Sequence, residues 1–463
     1  MFFGRETELR ELNDLYETDS FQCVIIYGRR RVGKTTLITE FMRDKPGVFY
    51  VAQENTPQIS LQDFSDKVIH TLGIEDFQSS FDNWEKAFLF LGKHAQEKRF
   101  IVAIDEFPYI ARAEREIKSI LQNAIDHSLK DTKLFLILCG SQVSFMEREV
   151  LGYNSPLYGR RTAQMRIEPF SFFESQSFYP NYNIQQQLEA YFILGGIPLY
   201  LDQFNDQLSI EENIKKNILK KYSYLYEEPK NLLKQELREP MNYNAIIEAI
   251  ARGATNMGTI VSKSKINSDQ CSRYLNILIE LLIVEKELPL DEAPTSRKSI
   301  YKLKDFFFRF WYAYVFPNIS ELEASNIEDV FEEEIKGDLS NYYGHCFETV
   351  CHQHFRRENN KRNLPFRFSK LGKWWGNNPL KKRQEEIDLY AIGKEGIYLG
   401  ECKWRNELVG ESVFNTLVER RQLFHADKVI YVLYSKSGFT ESLLRLASDR
   451  SDILLYTLND FKL

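Results

Sequence analysis

The sequence predicts an α/β fold built on a parallel sheet, followed by a helical module with a hairpin and a second α/β domain. Three observations support this prediction. Apolar runs at 23–27, 47–52, 100–104 and 134–139 alternate with helical patterns, which is typical of parallel strands joined by helices. A glycine-rich segment follows the first run, and a strand–turn–strand pattern lies near the C-terminus.

The glycine-rich segment at 28–35 has the spacing G-x-x-x-x-G-K-T and lies between a predicted strand and a predicted helix. Glycines let such a loop curl so that backbone N–H groups point at phosphate oxygens, and a helix N-terminus favours an anion. We therefore expect Lys34 to reach the β- and γ-phosphates of ATP and the Thr35 hydroxyl to hold Mg²⁺. The expected ATP contacts are Gly28, Arg29, Arg30, Arg31, Val32, Gly33, Lys34, Thr35 and Thr36. Simple solvation is an equal alternative for the three arginines.

Two further predicted strands end in polar residues. The third apolar run is followed by Asp105 and Glu106. After a phosphate-binding loop, Asp105 is expected to hold Mg²⁺ and Glu106 to orient or deprotonate the attacking water. The fourth run leads to Ser141 and Gln142. Because ligands of parallel sheets bind at the carboxyl ends of the strands, either side chain is a candidate contact to the γ-phosphate.

These motifs, in this order, resemble the archaeal-type P-loop ATPases of the AAA+/STAND group. The segments that carry the resemblance are 3–6, 8–9, 28–35, 105–106, 140–141, 157–161 and 195–198. The resemblance covers residues 1–235 and implies a P-loop NTPase sheet with a helical subdomain, in which Pro198 lies near the nucleotide base. It makes Arg160 or Arg161 a candidate catalytic arginine finger. A buried ion pair is the alternative role for either arginine.

The middle of the chain, 236–317, contains three helical patterns and then two short strands. The third helix is predicted to begin at Ser268, which would cap it. This order resembles a winged helix-turn-helix. Exposed positions on the third helix, Gln270, Arg273 and Asn276, are chemically able to contact DNA bases or phosphates. The alternative is a module that only packs domains together.

A predicted hairpin near the C-terminus brings two acids together. If it closes over Lys394 and Glu395, Asp388 faces Glu401 across the strands, and Lys403 lies on the same face. Opposed carboxylates repel unless a cation lies between them, and their oxygens suit Mg²⁺ or Mn²⁺. Lys403 would then orient the attacking water or stabilise developing charge.

This hairpin pattern resembles the PD-(D/E)XK nuclease superfamily. The resemblance implies a restriction-endonuclease-like α/β domain at 318–463, with Glu348 from an upstream helix as a further metal ligand. Whether such a domain cleaves DNA or only keeps the fold is left open. Residues 340–463 are predicted to run helix, strand, strand, helix, strand, helix, strand. The helix after the hairpin is expected at 414–424, with Gln422 as a polar contact.

Local charge in the C-terminal region favours a polyanion partner. Between Arg356 and Arg383 there are ten Lys or Arg and one acid, Glu358, with Trp374 and Trp375 among them. Aromatic side chains within basic stretches suit stacking on bases, although such charge runs are usually solvated. Cysteine and histidine side chains between His345 and His354 could also form a zinc site, but their helical spacing favours packing.

The overall composition restricts location and partners. The net charge of -6 gives no general argument for nucleic acid, and no apolar run is long enough to span a membrane. The six cysteines form no C-x-x-C pair, which favours a cytoplasmic protein with reduced thiols. We therefore expect an ATP-driven switch, with Mg²⁺, that controls DNA binding or cleavage. The alternative is a regulatory scaffold that binds DNA or protein without cutting, and the resemblance allows an oligomer.

Overall fold

A five-stranded parallel sheet forms the centre of the first part of the chain. The computed structural model describes residues 3–74, 80–296, 298–379 and 381–463. The strands are β1 Gln22–Tyr27, β2 Gly47–Val51, β3 Phe100–Asp105, β4 Leu134–Gly140 and β5 Ala163–Arg166. They lie in the order β2-β3-β4-β1-β5, and all neighbours are parallel. The predicted sheet is confirmed, with β1 to β4 within one residue of their predicted ends, whereas β5 was not predicted.

Three strands of this sheet, β1, β3 and β4, are buried along their whole lengths. Burial of both faces explains why these strands are continuous apolar runs without alternation. Polar residues are confined to the ends of the strands, where the candidate site lies. The helices of this part are α1 Glu6–Glu17, α2 Lys34–Met42, α3 Pro57–Leu72, α4 Trp84–His94, α5 Phe107–Ala113, α6 Ile117–Ala124 and α7 Val143–Phe145.

The chain divides into two compact units. The first comprises Met1–Pro169 and Ile197–Leu199, and the second comprises Phe170–Gly196 and Tyr200–Leu463. The predicted domain boundaries after residues 235 and 317 stay predictions. Every helix among the described residues is too short or too polar to span a lipid bilayer. The next helices along the chain are α8 Phe172–Ser175, α9 Ile184–Leu194, α10 Pro198–Leu201, α11 Ile210–Asn213 and α12 Glu228–Glu236.

Three helices and a hairpin follow in the order predicted. They are α13 Pro240–Ala251, α14 Met257–Ser264 and α15 Ser268–Glu280, then β6 Val284–Glu287 and β7 Ile300–Leu303, which pair antiparallel. The predicted cap at Ser268 is wrong by one residue. The side chain of Asn267 accepts a hydrogen bond from the Gln270 backbone N–H at 2.9 Å, so Asn267 satisfies the open first turn of α15. Four more helices lead to the C-terminal sheet: α16 Phe306–Phe310, α17 Ile319–Glu323, α18 Ile327–Val330 and α19 Leu339–Lys361.

A second, mixed sheet forms the C-terminal part, in the order β12-β11-β10-β9-β8. Its elements are β8 Phe368–Asn378, β9 Arg383–Gly393, β10 Ile397–Lys403, α20 Glu411–Arg420, β11 Val429–Ser435, α21 Glu441–Ser448 and β12 Ile453–Thr457. The register of the β9–β10 hairpin, with Gly400 opposite Leu389, agrees with the prediction. The predicted order of elements lacked β8. This edge strand is rich in lysine, glycine and asparagine, and such a composition hides a strand from pattern analysis.

We predict that Gly196→Ala destabilises the second unit. A Cβ at Gly196 would lie 1.8 Å from the backbone oxygen of Phe170, so the backbone must move, at a cost of about 2 kcal/mol. Four of the five tryptophans lie in this unit, so urea unfolding followed by tryptophan fluorescence reports on it. The control is Gly344→Ala within α19, where a Cβ meets nothing within 4 Å and helix propensity favours alanine. A Gly196→Ala midpoint equal to wild type would contradict the prediction.

Candidate nucleotide-binding site and C-terminal carboxylate cluster

The loop between β1 and α2 needs glycine at two positions. Gly33 has φ +90°, in the left-handed region, and the Pro198 side chain lies 3.7 Å from where its Cβ would be. At Gly28 an added Cβ would lie 2.3 Å from the carbonyl oxygen of Ile167. The two glycines of the motif are therefore explained by backbone conformation and by close approach. The structure also places Pro198 beside this loop.

Lys34 is enclosed by the loop that precedes it. Its side chain is buried, and its Nζ donates hydrogen bonds to the carbonyl oxygens of Gly28 at 2.9 Å and Arg29 at 3.0 Å. The guanidinium of Arg5 donates to the Val32 carbonyl at 3.0 Å and to the Glu168 carbonyl. These bonds hold the loop in a fixed curl around one ammonium group.

The candidate magnesium ligands meet directly. The Thr35 hydroxyl donates to a carboxylate oxygen of Asp105 at 2.6 Å, and the other Asp105 oxygen accepts from the Glu106 backbone N–H at 2.9 Å. Asp105 is buried. A hydroxyl beside a carboxylate is the donor set that Mg²⁺ prefers, so these residues fit the predicted ion.

Glu106 lies at the junction of β3 and β4. Its backbone has φ +53°, and its carboxylate accepts from the Ser141 hydroxyl at 2.8 Å and from the Ser141 backbone N–H at 3.3 Å. The ends of the two strands are therefore joined through one carboxylate. The structure thus brings together Lys34, Thr35, Asp105, Glu106 and Ser141, as predicted from their positions after strands.

The arginines of the predicted site occupy different environments. Arg160 forms a bidentate ion pair with Asp126, with nitrogen–oxygen distances of 2.9 and 2.6 Å, and this bond lowers the pKa of the Asp126 carboxyl. The Arg161 guanidinium lies over the ring of Tyr158, 5.5 Å from its centroid. Arg160 therefore forms an ion pair, as the alternative had it, but a half-exposed one and not a buried one. The arginine-finger role of either residue stays a prediction.

Solvation, the alternative for the three arginines of the loop, is wrong for Arg29. Arg29 is only 1% exposed, so its side chain is part of the protein interior. Arg30 donates a hydrogen bond to the Tyr109 hydroxyl at 3.1 Å. Arg31 has φ +72° and is half-buried. Burial of Arg29 and the bond from Arg30 to Tyr109 therefore hold these side chains within the protein. A direct contact of any of the three arginines to ATP stays a prediction.

In the second unit, the hairpin brings Asp388, Glu401 and Lys403 together. The Lys403 ammonium forms an ion pair with Glu401 and lies 3.4 Å from Asp388. The Cys402 backbone N–H also donates to Asp388, at 3.0 Å. Both carboxylates are buried. The predicted convergence of these three side chains is therefore present.

Two cations that the sequence analysis missed complete this cluster. Arg420, at the end of α20, pairs with Glu401 and, at 2.9 Å, with the buried Glu385. Lys373 of β8 pairs with Glu348 of α19. Lys373 belongs to the basic stretch, but the sequence does not indicate that its side chain is directed toward Glu348. Arg420 lies in the helix predicted after the hairpin, for which the sequence predicts Gln422 as the polar contact.

Burial raises the pKa of two of these acids, Glu348 and Glu401. It raises the pKa of Glu348 to about 7, although the Lys373 ammonium opposes the shift. Burial also raises the pKa of Glu401, with the Asp388 charge adding to the effect and Lys403 and Arg420 opposing it. The carboxylate oxygens are chemically suited to Mg²⁺ or Mn²⁺, but among the described residues Glu348, Asp388 and Glu401 do not place their ligand atoms mutually within 4.8 Å. A divalent ion bound by these oxygens would compete with the Lys and Arg side chains that now neutralise them.

The zinc alternative near α19 finds no support in the geometry. Nε2 of His352 lies 2.7 Å from the Asp388 carbonyl, and Nδ1 of His354 lies 2.8 Å from the Tyr434 hydroxyl. Burial lowers the pKa of both imidazoles to about 4. Among the described residues, the one group with three possible ligand atoms mutually within 4.8 Å is the mostly exposed set Glu211, Glu328 and Glu332. His354 is a packing residue, as its helical spacing indicated, whereas His345 is exposed.

The loop between β6 and β7, predicted as a wing, contacts the C-terminal sheet. The Leu290 backbone N–H donates to the Lys373 carbonyl at 2.9 Å, and the Trp374 indole N–H donates to Asp291 at 3.2 Å. Trp374 also packs on the ring of Phe424 at 5.0 Å and is 9% exposed. Stacking of Trp374 on bases is therefore wrong as an interpretation, because its ring is already covered. Arg273 is exposed on α15, as predicted.

Comparisons with known proteins identify relatives along the whole chain. Residues 2–204 match the family described as "ATPase domain predominantly from Archaea", and residues 311–416 match "Archaea bacterial proteins of unknown function". An uncharacterized protein of Methanocaldococcus jannaschii is 34% identical over 469 residues, which is 100% of both chains. An uncharacterized ATP-binding protein of Pyrococcus abyssi is 41% identical over 69 residues, 14% of this chain and 21% of that protein.

A solved structure supports the fold. The Walker-type ATPase of Pyrococcus abyssi superposes with a TM-score of 0.50 at 22% identity, covering 67% of this chain and 96% of that one. At this level of sequence identity the similarity supports the fold alone. It agrees with a P-loop NTPase fold for the parallel sheet.

We predict that Arg420→Ala destabilises the second unit by about 3 kcal/mol, because it leaves the buried Glu401 and Glu385 without their shared cation. Urea unfolding followed by tryptophan fluorescence measures the effect. The matched control is Arg421→Ala, an exposed neighbour with one weak hydrogen bond, which is expected to change stability by less than ~0.5 kcal/mol.

The deficit of Arg420→Ala should shrink as the pH falls. Burial already raises the pKa of Glu401, and loss of a neighbouring cation raises it further. A protonated Glu401 needs no cation, so the variant regains stability relative to wild type on acidification. A deficit that grows at acid pH, or equal effects of the two substitutions, would contradict this account of the cluster.

Proposed function

Since the chain belongs to the same family as its full-length M. jannaschii relative, and its residues 2–204 match an archaeal ATPase domain, we propose that it binds and hydrolyses ATP with Mg²⁺ at residues 28–36 and uses the nucleotide state to control its second unit. The proposal of ATP binding and hydrolysis rests on one observation. At the ends of β1 and β3 the structure brings together Lys34, Thr35, Asp105 and Glu106. ATP binding itself agrees with the matched ATPase family.

Each side chain has a role that follows from its chemistry. Lys34 exchanges two carbonyl partners for phosphate oxygens, which are stronger acceptors for an ammonium. Thr35 and Asp105 hold Mg²⁺, which when bound neutralises charge on the phosphates. Glu106 orients the attacking water and accepts its proton. Ser141, at the end of β4, donates a hydrogen bond to Glu106 and so helps to fix the position of this base.

The proposed output lies in the second unit. We infer that this unit binds DNA through α15 and the basic α19–β8 region, and that Asp388, Glu401, Lys403 and Glu348 form a nuclease-like cluster with Mg²⁺ or Mn²⁺. The convergence of the first three across the β9–β10 hairpin supports this assignment. In this proposal the units are a P-loop domain at 1–235, a winged helix at 236–317 and a nuclease-like domain at 318–463.

A second function is favoured by one specific observation. The acids of the cluster are buried and already neutralised by Lys403, Arg420 and Lys373. Such a network is also what a domain that kept its fold and lost its metal would show. In that case the protein is an ATP-dependent scaffold that binds DNA or a protein partner without cutting.

We predict that Lys34→Ala weakens ATP binding and that Glu106→Gln retains binding but lowers the rate of hydrolysis at least about 100-fold, since it removes the general base. Calorimetry measures binding, and phosphate release measures turnover. Lys98→Ala and Glu97→Gln, both exposed and in the same unit, are matched controls expected to behave as wild type. Hydrolysis unaffected by Lys34→Ala and Glu106→Gln would refute the site.

Nicking of supercoiled plasmid separates the two proposed outputs. With Mn²⁺ and ATP we expect wild type to nick, Asp388→Asn to lose nicking, and the exposed control Asp427→Asn to retain it. Loss is expected because Asp388 supplies a carboxylate that a metal needs. Absence of nicking by wild type with either metal, with and without ATP, would leave the scaffold function in its place.

A further inference from the structure

Five cations flank the connection between α19 and β8, and we name this set the α19–β8 basic surface. It consists of Arg356, Lys361, Arg362, Arg367 and Lys370. We propose that this surface binds the phosphate backbone of duplex DNA at a place separate from the carboxylate cluster. The inference rests on the proposed DNA-binding function and specifies which part of the basic stretch makes the contacts.

The five cations differ in their partners from four of the other five basic residues of the stretch. Lys373, Lys381 and Arg383 all pair with carboxylates, and Arg357 lies over the ring of Phe173. Across the part of the chain that the structure describes, none of the five surface cations has an ion-pair partner, and all five are exposed. Their charge is therefore available to an external anion, as is that of the exposed Lys382, whereas Lys373, Lys381 and Arg383 are neutralised by carboxylates within the protein.

The surface has a rigid support. The Asn359 side chain exchanges two hydrogen bonds with the Phe368 backbone, at 3.0 and 3.2 Å. The rings of Phe355 and Phe368 stack with centroids 5.3 Å apart. These contacts join the last turn of α19 to the first residues of β8. They fix the backbones that carry the cations, so a phosphate chain would bind without the entropy cost of ordering a loop.

An irregularity in β8 turns a further side chain outward. The pairing with β9 shifts in register between Phe368 and Lys370, so that Ser369 has no partner residue on β9. Ser369 and Lys370 are consequently both exposed, although successive strand residues normally point to opposite faces. Bulges of this kind re-aim side chains, and here the irregularity leaves Lys370 exposed to solvent.

The composition of the surface favours nucleic acid over a membrane. Among the described residues between Met241 and Leu408, no large hydrophobic side chain is exposed. A lipid surface would be bound by apolar side chains in addition to cations. The region instead offers cations with exposed Asn360 and Asn363, which are groups that bond phosphate and sugar oxygens.

The position of the surface predicts where DNA would extend. Phe368 pairs with Gly393, five residues along β9 from Asp388, which corresponds to about 16 Å at ~3.3 Å per residue. Phosphates on one strand of duplex DNA are spaced ~3.4 Å along the axis. A duplex that contacts both places would therefore have about five base pairs between the contact and the carboxylates.

Lysine on an edge strand has another common role, because it prevents sheets from pairing edge to edge. That role requires no ligand and would apply to Lys370 alone. It does not explain Arg356, Lys361 and Arg362, which lie on or directly after a helix. The two explanations differ in what charge reversal does to DNA affinity.

The test is fluorescence anisotropy with a labelled 30-base-pair duplex, using the full chain at several KCl concentrations. We compare wild type with Arg367→Glu/Lys370→Glu and with the neutral pair Arg367→Gln/Lys370→Gln. The control is Lys220→Glu/Lys234→Glu, which reverses two exposed lysines elsewhere in the second unit. We expect reversal at the surface to weaken binding at least about tenfold at 50 mM KCl and to lower the salt slope by about 2, since two phosphate contacts are lost.

The neutral pair should lower the slope by the same amount with a smaller loss of affinity, and the control pair should change neither. A wild type that does not bind the duplex at all would refute the DNA-binding part of the proposed function. A wild type that binds, with slope and affinity unchanged by reversal at the surface, would overturn this inference alone. Tighter binding to a labelled poly-aspartate peptide than to the duplex would also overturn it.

Discussion

The enclosure of one ammonium group by the loop after β1 is the interaction on which the first unit depends. Lys34 is buried, and a buried cation is tolerated only where acceptors surround it. The carbonyls of Gly28 and Arg29 supply those acceptors, and the glycines of the loop allow the curl that aims them inward. The same ammonium that stabilises the loop now is the group that phosphate oxygens would attract. Stability of the loop and affinity for a triphosphate thus come from one charge.

The second unit applies the same constraint with the signs reversed. Asp388, Glu401 and Glu385 are buried acids, and the structure neutralises them with cations from three elements: β9, β10 and α20. Because the wing loop bonds to β8 at Lys373, the helical module is connected to the residue that pairs with Glu348. The wing loop and Glu348 therefore contact the same residue, the first at its backbone carbonyl and the second at its ammonium group. A divalent ion and these ammonium and guanidinium groups are alternative ways to satisfy the same carboxylates.

The sequence was sufficient where local spacing determines geometry. Continuous apolar runs predicted β1, β3 and β4, and turn length alone predicted the hairpin register that brings Asp388 to Lys403, because strand residues alternate strictly. It failed where partners come from distant segments. Arg420 and Lys373 carry no local sign of pointing inward, and β8 lacks the apolar alternation of a typical strand. The bond from Leu290 to Lys373 and the packing of Phe424 on Trp374 are likewise tertiary contacts, which no local sequence pattern predicts.

The central claim is that the triphosphate of ATP takes the place of the loop carbonyls as the partner of Lys34. A crystal structure of the full chain with Mg²⁺ and a non-hydrolysable ATP analogue tests it most directly. We expect the Lys34 Nζ within hydrogen-bonding distance of phosphate oxygens, and the metal between the Thr35 hydroxyl and Asp105. Nucleotide bound elsewhere, with Lys34 still bonded to Gly28 and Arg29 and Thr35 still bonded to Asp105, would contradict the account.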